Sequence, residues 1–451
     1  MPRLCVIDVP GLSRKLMRAI PTGSSLAKWL ATQRIVSMTP TWPAVTCSMQ
    51  ATLTTGLPPS KHGIISNGMA TYRSPDDQRL IDESSFAEYR RDVSFWEQSN
   101  QLIDAQRFWQ DSSGKSRWKT ALLFFQNSMP GFVERRRPAA DIVITPKPEH
   151  GADGKVTSLC WSQPRELVEQ LSRELGPFPL MSYWGPLARI DSSRWIARAA
   201  TKVWNTSAPQ LQLVYIPHLD YDLQRFGPDS EQATQAVIDL TAAVEPLLDA
   251  VIDSRSEIVL LSEYSMHAVD RFVQPNRLLR DAALLVTRDT PDGKLVDYQQ
   301  SKAFAMVDHQ VAHVYLSDAS VKVRAREALM SPLVRVVDEA AGTAHHRRAG
   351  DLLLESAANA WFDYRWWNSP AEAPAFAKAV DIHRKPGYDP CELFFDPATR
   401  GVSQDPGRVR GSHGIAGDGD AMLAANLSAN FAGDTIYATD VAAGIVDLLE
   451  R

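Results

Sequence analysis

The chain has 451 residues, of which 44% are hydrophobic and 22% are charged, and its formal net charge is -5. These values are those of an ordinary globular protein, and the length allows one large domain with insertions. A mildly acidic chain has no electrostatic attraction for a nucleic acid polymer or an anionic membrane surface, so neither is expected as a partner. The four cysteines are widely separated and form no CxxC pair, which argues against a disulfide framework and a cysteine-rich zinc site.

The N-terminal segment, MPRLCVIDVPG, lacks the long apolar run of a signal peptide. No later segment has the length of apolar sequence that a transmembrane helix needs. A cytoplasmic protein without a membrane partner is therefore the expectation from the sequence.

Short apolar runs, separated by amphipathic segments, predict the buried strands of a mainly parallel sheet. Residues 230–254 have the apolar spacing of a helix, with Asp229 or Ser230 as the N-cap. Strands that alternate with long helices predict an α/β fold of the doubly wound type. The apolar runs are LCVID at 4–8, KTALLFF at 119–125, ADIVIT at 140–145, LQLVYI at 211–216 and EIVLLS at 257–262.

Two regions interrupt this alternation within what is expected to be a single α/β domain, residues 1–451. Residues 68–118 are polar and rich in aromatic side chains, and they are predicted to form a cap insertion. Residues 320–410 are rich in Arg, Trp and Pro, and they are predicted to form a second insertion or a wall of the site. Just before them, KAFAMVDHQVAHVYL at 302–316 predicts a strand, a loop and another strand.

Carboxylates follow three of the predicted strands. Asp8 ends the first apolar run, Asp220 follows the fourth, and Glu263 follows the fifth. In open α/β sheets, ligands bind beyond the carboxyl ends of the strands. Three carboxylates gathered there repel one another unless a cation lies between them. The pattern therefore predicts a metal site at this edge of the sheet.

The segment PAVTCSMQATLTTGLPPSKHGIISN, residues 43–67, has two interpretations. Thr46 is either a nucleophile presented at the start of a helix or only part of a well-capped helix. The neighbouring Cys47 is a second possible nucleophile, but no adjacent His activates it and the residues after it do not match a sulfatase modification motif. A small buried residue is the preferred interpretation of Cys47.

The order and spacing of these residues resemble the nucleotide pyrophosphatase/phosphodiesterase branch of the alkaline phosphatase superfamily. The resemblance covers residues 1–70, residues 210–266 and the tail from residue 411. The residues that match the family pattern are Asp8, Thr46, Thr55-Gly56, His62-Gly63-Ile64, Asn67, Asp220, Gly227-Pro228 and Gly411-Ser412-His413-Gly414.

The resemblance implies an alkaline-phosphatase-like core with two divalent metal ions, either Zn or Mn/Mg, that flank Thr46 as the nucleophile. It also implies that Asn67 donates a hydrogen bond to the phosphoryl group of a small phosphorylated substrate. A divalent ion stabilises a threonine alkoxide that would not otherwise form near neutral pH. The implied reaction is the metal-dependent hydrolysis of a phosphodiester or pyrophosphate bond. The open alternatives are a phosphonate hydrolase, a phosphomonoesterase and a catalytically silent protein that binds a phosphorylated ligand.

The chain departs from the family pattern at two ligand positions. Gln224 stands where the family has His, and Glu263-Tyr264 stands where it has an Asp-His pair. Other histidines are candidates for the missing ligands; His218, for example, would share a strand face with Asp220, two residues later. Alternatively, an oxygen-rich site suits Mn or Mg better than Zn. The expected metal ligands are therefore Asp8, Thr46, Asp220, Glu263 and His413, with His383, His218 or His309 completing the set.

Overall fold

The structure is a computed structural model that describes residues 2–70, 93–130, 138–147, 149–150, 156–157, 160–337, 346–415, 421–426, 431 and 433–451. Within these residues the strands are β1 (Leu4–Asp8), β2 (Arg34–Thr39), β3 (Gly68–Ala70), β4 (Val93–Phe95), β5 (Thr120–Leu123), β6 (Ile142–Pro146), β7 (Glu149–His150), β8 (Val156–Thr157), β9 (Cys160–Gln163), β10 (Leu211–Tyr215), β11 (Glu257–Leu261), β12 (His267–Ala268), β13 (Arg271–Val273), β14 (Thr287–Thr290), β15 (Gly293–Val296), β16 (Ala303–Asp308), β17 (Val311–Leu316), β18 (Val334–Val337), β19 (Leu352–Ser356), β20 (Ala360–Phe362), β21 (Phe395–Asp396), β22 (Gly401–Val402), β23 (Gly411–Ser412), β24 (Met422–Ala425) and β25 (Thr435–Tyr437). The helices in the same residues are α1 (Ser25–Leu30), α2 (Thr46–Thr55), α3 (Pro59–His62), α4 (Leu167–Leu175), α5 (Ile190–Ser207), α6 (His218–Phe226), α7 (Glu231–Asp253), α8 (Pro275–Asp281), α9 (Lys322–Leu329) and α10 (Val441–Leu449). None of these helices has both the length and the apolar character needed to cross a lipid bilayer.

A nine-stranded sheet forms the centre of the molecule, in the order β25-β2-β24-β11-β1-β10-β5-β6-β9. Its central strands β11, β1, β10, β5 and β6 run parallel. All five predicted apolar runs overlap one of these strands, and the residues of β1 and β10 are buried throughout, as strands covered on both faces must be. The apolar pattern did not predict β2, β24 and β25, which extend the sheet beyond β11.

The strand register brings the expected site residues to one edge of this sheet. Asp8, the last residue of β1, is level with Tyr215 in β10 and with Leu261 in β11. The segments that follow β10 and β11 therefore emerge beside Asp8. These segments carry Asp220 and Glu263, as the position of the carboxylates in the sequence predicted.

Local sequence signals set the ends of the helices that surround the sheet. The N-cap of α7 is Ser230, whose Oγ accepts a hydrogen bond from the backbone N–H of Ala233 at 3.0 Å. Helix α2 begins at Thr46 and ends at Thr55, and its C-cap is Gly56, whose φ of 72° is a left-handed conformation that glycine adopts without a Cβ clash. Thr46 therefore stands at the start of a helix, as predicted.

A second, antiparallel sheet has the order β16-β17-β19-β18 and packs around its own hydrophobic cluster. Strands β16 and β17 form the strand-loop-strand predicted at 302–316, with Asp308 paired with Val311. Strands β16 and β17 precede residue 320, whereas β18 and β19 follow it. Residues 303–316 therefore share one sheet with residues 334–337 and 352–356 of the predicted insertion at 320–410. In the other predicted insertion, β3 pairs with β4, and residues 71–92 lie outside the described residues.

Candidate active site

A cavity of about 360 Å³ opens beyond the carboxyl end of β10 and is lined by the first residue of α2. Asp8, Glu263, Asn67 and His218 are not among the residues that line it. The cavity brings together five of the residues that the sequence predicted for the site, namely Thr46, Asp220, His309, His383 and His413.

Thr46 is the first residue of α2, where the backbone has a positive partial charge because the first N–H groups of a helix have no partner within it. Its Oγ1 lies 3.1 Å from the hydroxyl oxygen of Tyr264, and that hydroxyl donates to Asp220 Oδ1 at 3.3 Å. Tyrosine has one hydroxyl proton and an ionised Asp220 only accepts, so Thr46 is the donor in its contact with Tyr264. The lone pairs of Thr46 Oγ1 are therefore available for attack on a ligand.

Asn67 ties the loop after α3 to the first turn of α2. Its Oδ1 accepts from the backbone N–H of Cys47 at 2.8 Å, and its Nδ2 donates to Asp308 Oδ1 at 3.1 Å. An amide Nδ2 has two hydrogens, and the bond to Asp308 uses one of them. Burial, and then the charges of Asp308 and Glu263, raise the pKa of the Cys47 thiol well above its usual range. A protonated thiol is a poor nucleophile, so Cys47 has the environment of a packing residue.

Asp8 and Glu263 form a buried pair of acids at the ends of neighbouring parallel strands. None of their four carboxylate oxygens has a hydrogen-bond partner among the described residues. Burial raises the pKa of Asp8 to about 7. Burial, followed by the charge of Asp8, raises the pKa of Glu263 well above its usual range. Two buried carboxylates do not both ionise unless a cation lies between them, so this pair fits one divalent ion.

Asp220, the third of the predicted carboxylate ligands, is instead held by hydrogen bonds from its neighbours. Asp220 Oδ2 accepts from Gln224 Nε2 at 2.6 Å, and Gln224 Oε1 accepts from the Tyr388 hydroxyl at 2.9 Å. Asp220 Oδ1 accepts from Tyr264, whose ring stacks on His413 at 3.6 Å between centroids. Gln224 and Tyr264, which stand in place of the two family histidines, thus each donate a hydrogen bond to one carboxylate oxygen of Asp220. Asp220 and these two side chains therefore do not fit a second ion. Among the described residues, no three His, Cys, Asp or Glu side chains converge on a point that could hold a metal ion.

His218 is placed differently from the expectation. Strand β10 ends at Tyr215, and Pro217, which has no N–H to give to a sheet, precedes the first residue of α6. Residues two apart on a helix point in different directions. The Nε2 of His218 therefore lies 3.7 Å from Asp222 Oδ2, whereas Asp220 lines the cavity. The expectation that His218 and Asp220 share a strand face is wrong, because a helix begins where the strand was expected to continue.

The other three candidate histidines all line the cavity. His413 donates from Nδ1 to a backbone carbonyl at 2.8 Å, and its Nε2 lies 3.7 Å from Asp220 Oδ1. Burial, and then the neighbouring His309, lower the pKa of His413 well below its usual range, so its ring is neutral. His383 contacts a backbone carbonyl through Nδ1 at 3.2 Å and forms part of the cavity wall.

The sequence did not single out most of the side chains that form the cavity walls. They come from segments that are far apart in the chain, so no local pattern groups them. No Lys or Arg is among the described residues that line the cavity. The walls are mainly aromatic and apolar, and they include Trp96, Leu180, Met181, Tyr183, Trp184, Tyr221, Val380, Ile382 and Tyr388.

Comparison with known protein families shows which family the chain belongs to. The profile of the family described as type I phosphodiesterase / nucleotide pyrophosphatase matches residues 4–389. The chain belongs to this family. No functionally curated protein sequence matches the chain.

Solved structures of two relatives share the fold of this family member and confirm the predicted alkaline-phosphatase-like α/β core. Murine ectonucleotide pyrophosphatase/phosphodiesterase 5 has a TM-score of 0.57 and 14% identity, over 100% of this chain and 95% of that one. An inactive variant of the murine protein, with alanine in place of a threonine, was solved in complex with AMP. Phosphonoacetate hydrolase from Sinorhizobium meliloti 1021, in complex with phosphonoformate, has a TM-score of 0.60 and 13% identity, over 99% of this chain and 96% of that one.

Proposed function

We propose that this chain hydrolyses phosphodiester or pyrophosphate bonds with Thr46 Oγ1 as the nucleophile and one divalent cation held at Asp8 and Glu263. The observation that carries the proposal is the position of Thr46, which starts α2, lines the cavity and bonds the residue next to Glu263. Family membership supports phosphoester hydrolysis. The inactive murine variant lacks a threonine and binds AMP, which also supports a threonine nucleophile.

The ligands that we propose for the cation are all oxygens. When bound, a divalent ion supplies the positive charge that stabilises a threonine alkoxide. The carboxylates of Asp8 and Glu263, together with Thr46 Oγ1, favour Mg or Mn over Zn because hard ions prefer oxygen ligands. Asp220 and His413 are proposed to act as hydrogen-bonding groups of the cavity. The cytoplasmic location stays a prediction from the sequence.

The hydrogen bonds around Thr46 provide a path for its proton. As Oγ1 attacks phosphorus, its proton follows the existing hydrogen bond to Tyr264, whose own proton is directed at Asp220. Burial raises the pKa of Asp220 to about 6, although His309 and the hydrogen bonds from Gln224 and Tyr264 oppose this. A carboxylate with a raised pKa is a better proton acceptor than an ordinary one. The positive end of α2 and the second Nδ2 hydrogen of Asn67 then stabilise the phosphoryl oxygens.

The lining of the cavity predicts a preference for diesters over monoesters. A monoester is a dianion, and the described lining contains Asp220 and Asp381 but no Lys or Arg to neutralise a second charge. A bis-aryl phosphate is a monoanion with apolar groups that suit the aromatic walls. We expect kcat/KM for the bis-aryl phosphate to exceed that for the mono-aryl phosphate by roughly 10-fold or more. Equal or faster hydrolysis of the monoester, or of phosphonoacetate, would favour the phosphomonoesterase or phosphonate hydrolase alternative.

A trapping experiment tests the nucleophile directly. Rapid acid quenching during turnover of the bis-aryl phosphate, followed by mass spectrometry, is expected to find a phosphoryl group on the peptide that contains Thr46. If the protein binds the cation but hydrolyses neither ester and forms no phosphothreonine, it is a silent binder of a phosphorylated ligand.

Replacing Asn67 by alanine is expected to lower kcat by on the order of 10²-fold, because the loss of one preorganised donor to a phosphoryl oxygen costs about 3 kcal/mol. Steady-state kinetics with the bis-aryl phosphate measure this loss. Ser66→Ala is the matched control, because Ser66 also bonds Asp308, at 2.5 Å, but is not proposed to contact the substrate. A fall of equal size in Ser66→Ala would show that the effect comes from disturbing Asp308.

A further inference from the structure

The tip of the β16–β17 hairpin lies at the cavity and has an unusual backbone. Asp308 pairs with Val311, so His309 and Gln310 form a two-residue connection. Such turns need positive φ values and normally contain Asn-Gly or Gly. His309 has a φ of 58°, in the left-handed region that only a few per cent of non-glycine residues adopt, Asn, Asp and His more often than the others. Non-glycine residues in this conformation cluster at functional sites, so the position of His309 at the cavity makes its side chain a candidate for a role there.

Asp308 joins this tip to Asn67. Its Oδ2 accepts from Asn67 N at 2.8 Å and from Ser66 Oγ at 2.5 Å, and its Oδ1 accepts from Asn67 Nδ2 at 3.1 Å and from His309 Nδ1 at 2.7 Å. Burial alone would raise the pKa of Asp308, but the hydrogen bonds from its neighbours, that from His309 foremost, keep it below its usual value. One ionised carboxylate therefore orients both Asn67 and His309.

The ring of His309 is fixed and presents one nitrogen without a partner. Because a carboxylate only accepts, Nδ1 carries the proton in the bond to Asp308, and Nε2 of the neutral ring is an acceptor. His309 is only 3% exposed, and its Nε2 has no hydrogen-bond partner among the described residues. The ring lies between Tyr388, at 3.6 Å between centroids, and His413, at 3.8 Å. It lines the same cavity as Thr46.

We propose that His309 is the general base for the second half of the reaction and that Asp308 is the positioning residue for both His309 and Asn67. This inference rests on the proposed function, because it requires a phosphothreonine at Thr46. Nε2 takes a proton from water as the water oxygen bonds to phosphorus and the bond between phosphorus and Thr46 Oγ1 breaks. Thr46 recovers its own proton from Asp220 through Tyr264. The imidazolium releases its proton to solvent, which balances the proton that the first leaving group takes up.

The test compares the formation and the breakdown of the phosphothreonine in His309→Asn. Asparagine tolerates a positive φ, so the hairpin turn is preserved. With a bis-aryl phosphate, we expect a burst of about one aryl alcohol per active site, then turnover slower by roughly 10²- to 10⁴-fold, with phosphorylated Thr46 accumulating. His313→Asn is the matched control, because His313 is equally buried on the same hairpin and bonds Ile65 O at 3.1 Å away from the cavity lining. This control is expected to accumulate no phosphothreonine.

Asp308→Asn tests the positioning role separately. Loss of this acceptor disturbs Asn67 as well as His309, so both the burst and the later phase are expected to slow. Adding His309→Asn to Asp308→Asn is then expected to change the later phase little, because the two residues act as a unit. Free imidazole is expected to restore breakdown in His309→Gly, which leaves space for the ring, but not in Asp308→Asn, where the ring still fills that space.

Each contrary outcome has one meaning. If the original chain forms phosphothreonine and His309→Asn hydrolyses it at an unchanged rate, this inference fails and the proposed function stands. If His309→Asn loses a bound cation by elemental analysis, His309 is a metal ligand and the inference is overturned. If the original chain turns over substrate without forming phosphothreonine, both proposals fail.

Discussion

Replacing Thr46 by alanine is expected to lower kcat for a bis-aryl phosphate by on the order of 10⁴-fold or more, because no nucleophile remains. The fold should survive, since alanine is tolerated in the first turn of a helix and, among the described residues, the side chain makes a hydrogen bond only to Tyr264. The free energy of unfolding is expected to change by about 1 kcal/mol. Steady-state kinetics and urea unfolding on the same preparation measure the two effects.

Two neighbouring variants make this result specific. Thr46→Ser keeps the hydroxyl and should retain measurable turnover. Acid quenching of this variant is expected to trap phosphoserine at position 46 in place of phosphothreonine. Cys47→Ala removes a buried thiol whose pKa is raised well above its usual range, and it should leave kcat nearly unchanged. Full activity in Thr46→Ala together with inactivity in Cys47→Ala would make Cys47 the nucleophile and overturn the proposed mechanism.

The sequence was sufficient to predict the five parallel strands of the central sheet and the position of Thr46 at the start of a helix. Buried parallel strands are continuous apolar runs, and their carboxyl ends share one edge of the sheet, so Asp8, Asp220 and Glu263 could be placed together without a structure. The helix that starts at Thr46 could be expected from the Thr55-Gly56 turn that ends it. These features depend on short stretches of chain and on rules that hold for any parallel sheet.

The hydrogen-bonded set around Asp220 could not be predicted in this way. In the sequence, Gln224 and Tyr264 could be identified only as positions where the family's histidine ligands are absent, because most of their hydrogen-bond partners are distant in the chain. Tyr388, which is 164 residues from Gln224, completes that network and was not singled out. Likewise, His309 was considered only as a metal ligand, although Asp308 next to it orients the ring. His218 was misplaced because Pro217 ends the strand ladder and a helix follows.

The buried acid pair gives the second large prediction. A carboxyl whose pKa rises from 3.8 to about 7 on folding, as that of Asp8 does, contributes stability that is present below about pH 4 and is lost as the pH rises through 7. The loss amounts to about 4 kcal/mol for such a group. In chelated protein at pH 8, Asp8→Asn is therefore expected to raise the free energy of unfolding by about 2 to 4 kcal/mol, since it removes this charge and can donate to Glu263. The same variant should be inactive, because it loses a ligand for the cation.

Stabilisation by a bound cation should have the opposite pH dependence, because a cation binds the ionised forms of Asp8 and Glu263. Mg²⁺ or Mn²⁺ is expected to stabilise the original chain strongly at pH 8 and weakly at pH 5, where protons compete for Asp8 and Glu263, and to stabilise Asp8→Asn little at either pH. Asp389→Asn is the control, because Asp389 is a buried carboxylate that has a partner, Lys385 Nζ at 2.8 Å. The pKa of Asp389 lies below its usual range, and removing its charge leaves Lys385 under-compensated, so this variant should be less stable at pH 8. Urea unfolding with chelator and with each ion distinguishes the two cases. If Asp8→Asn were destabilised at pH 8 like the control, the negative charge of Asp8 would already be compensated by groups of the protein. That result would contradict the proposal of a cation site at Asp8 and Glu263.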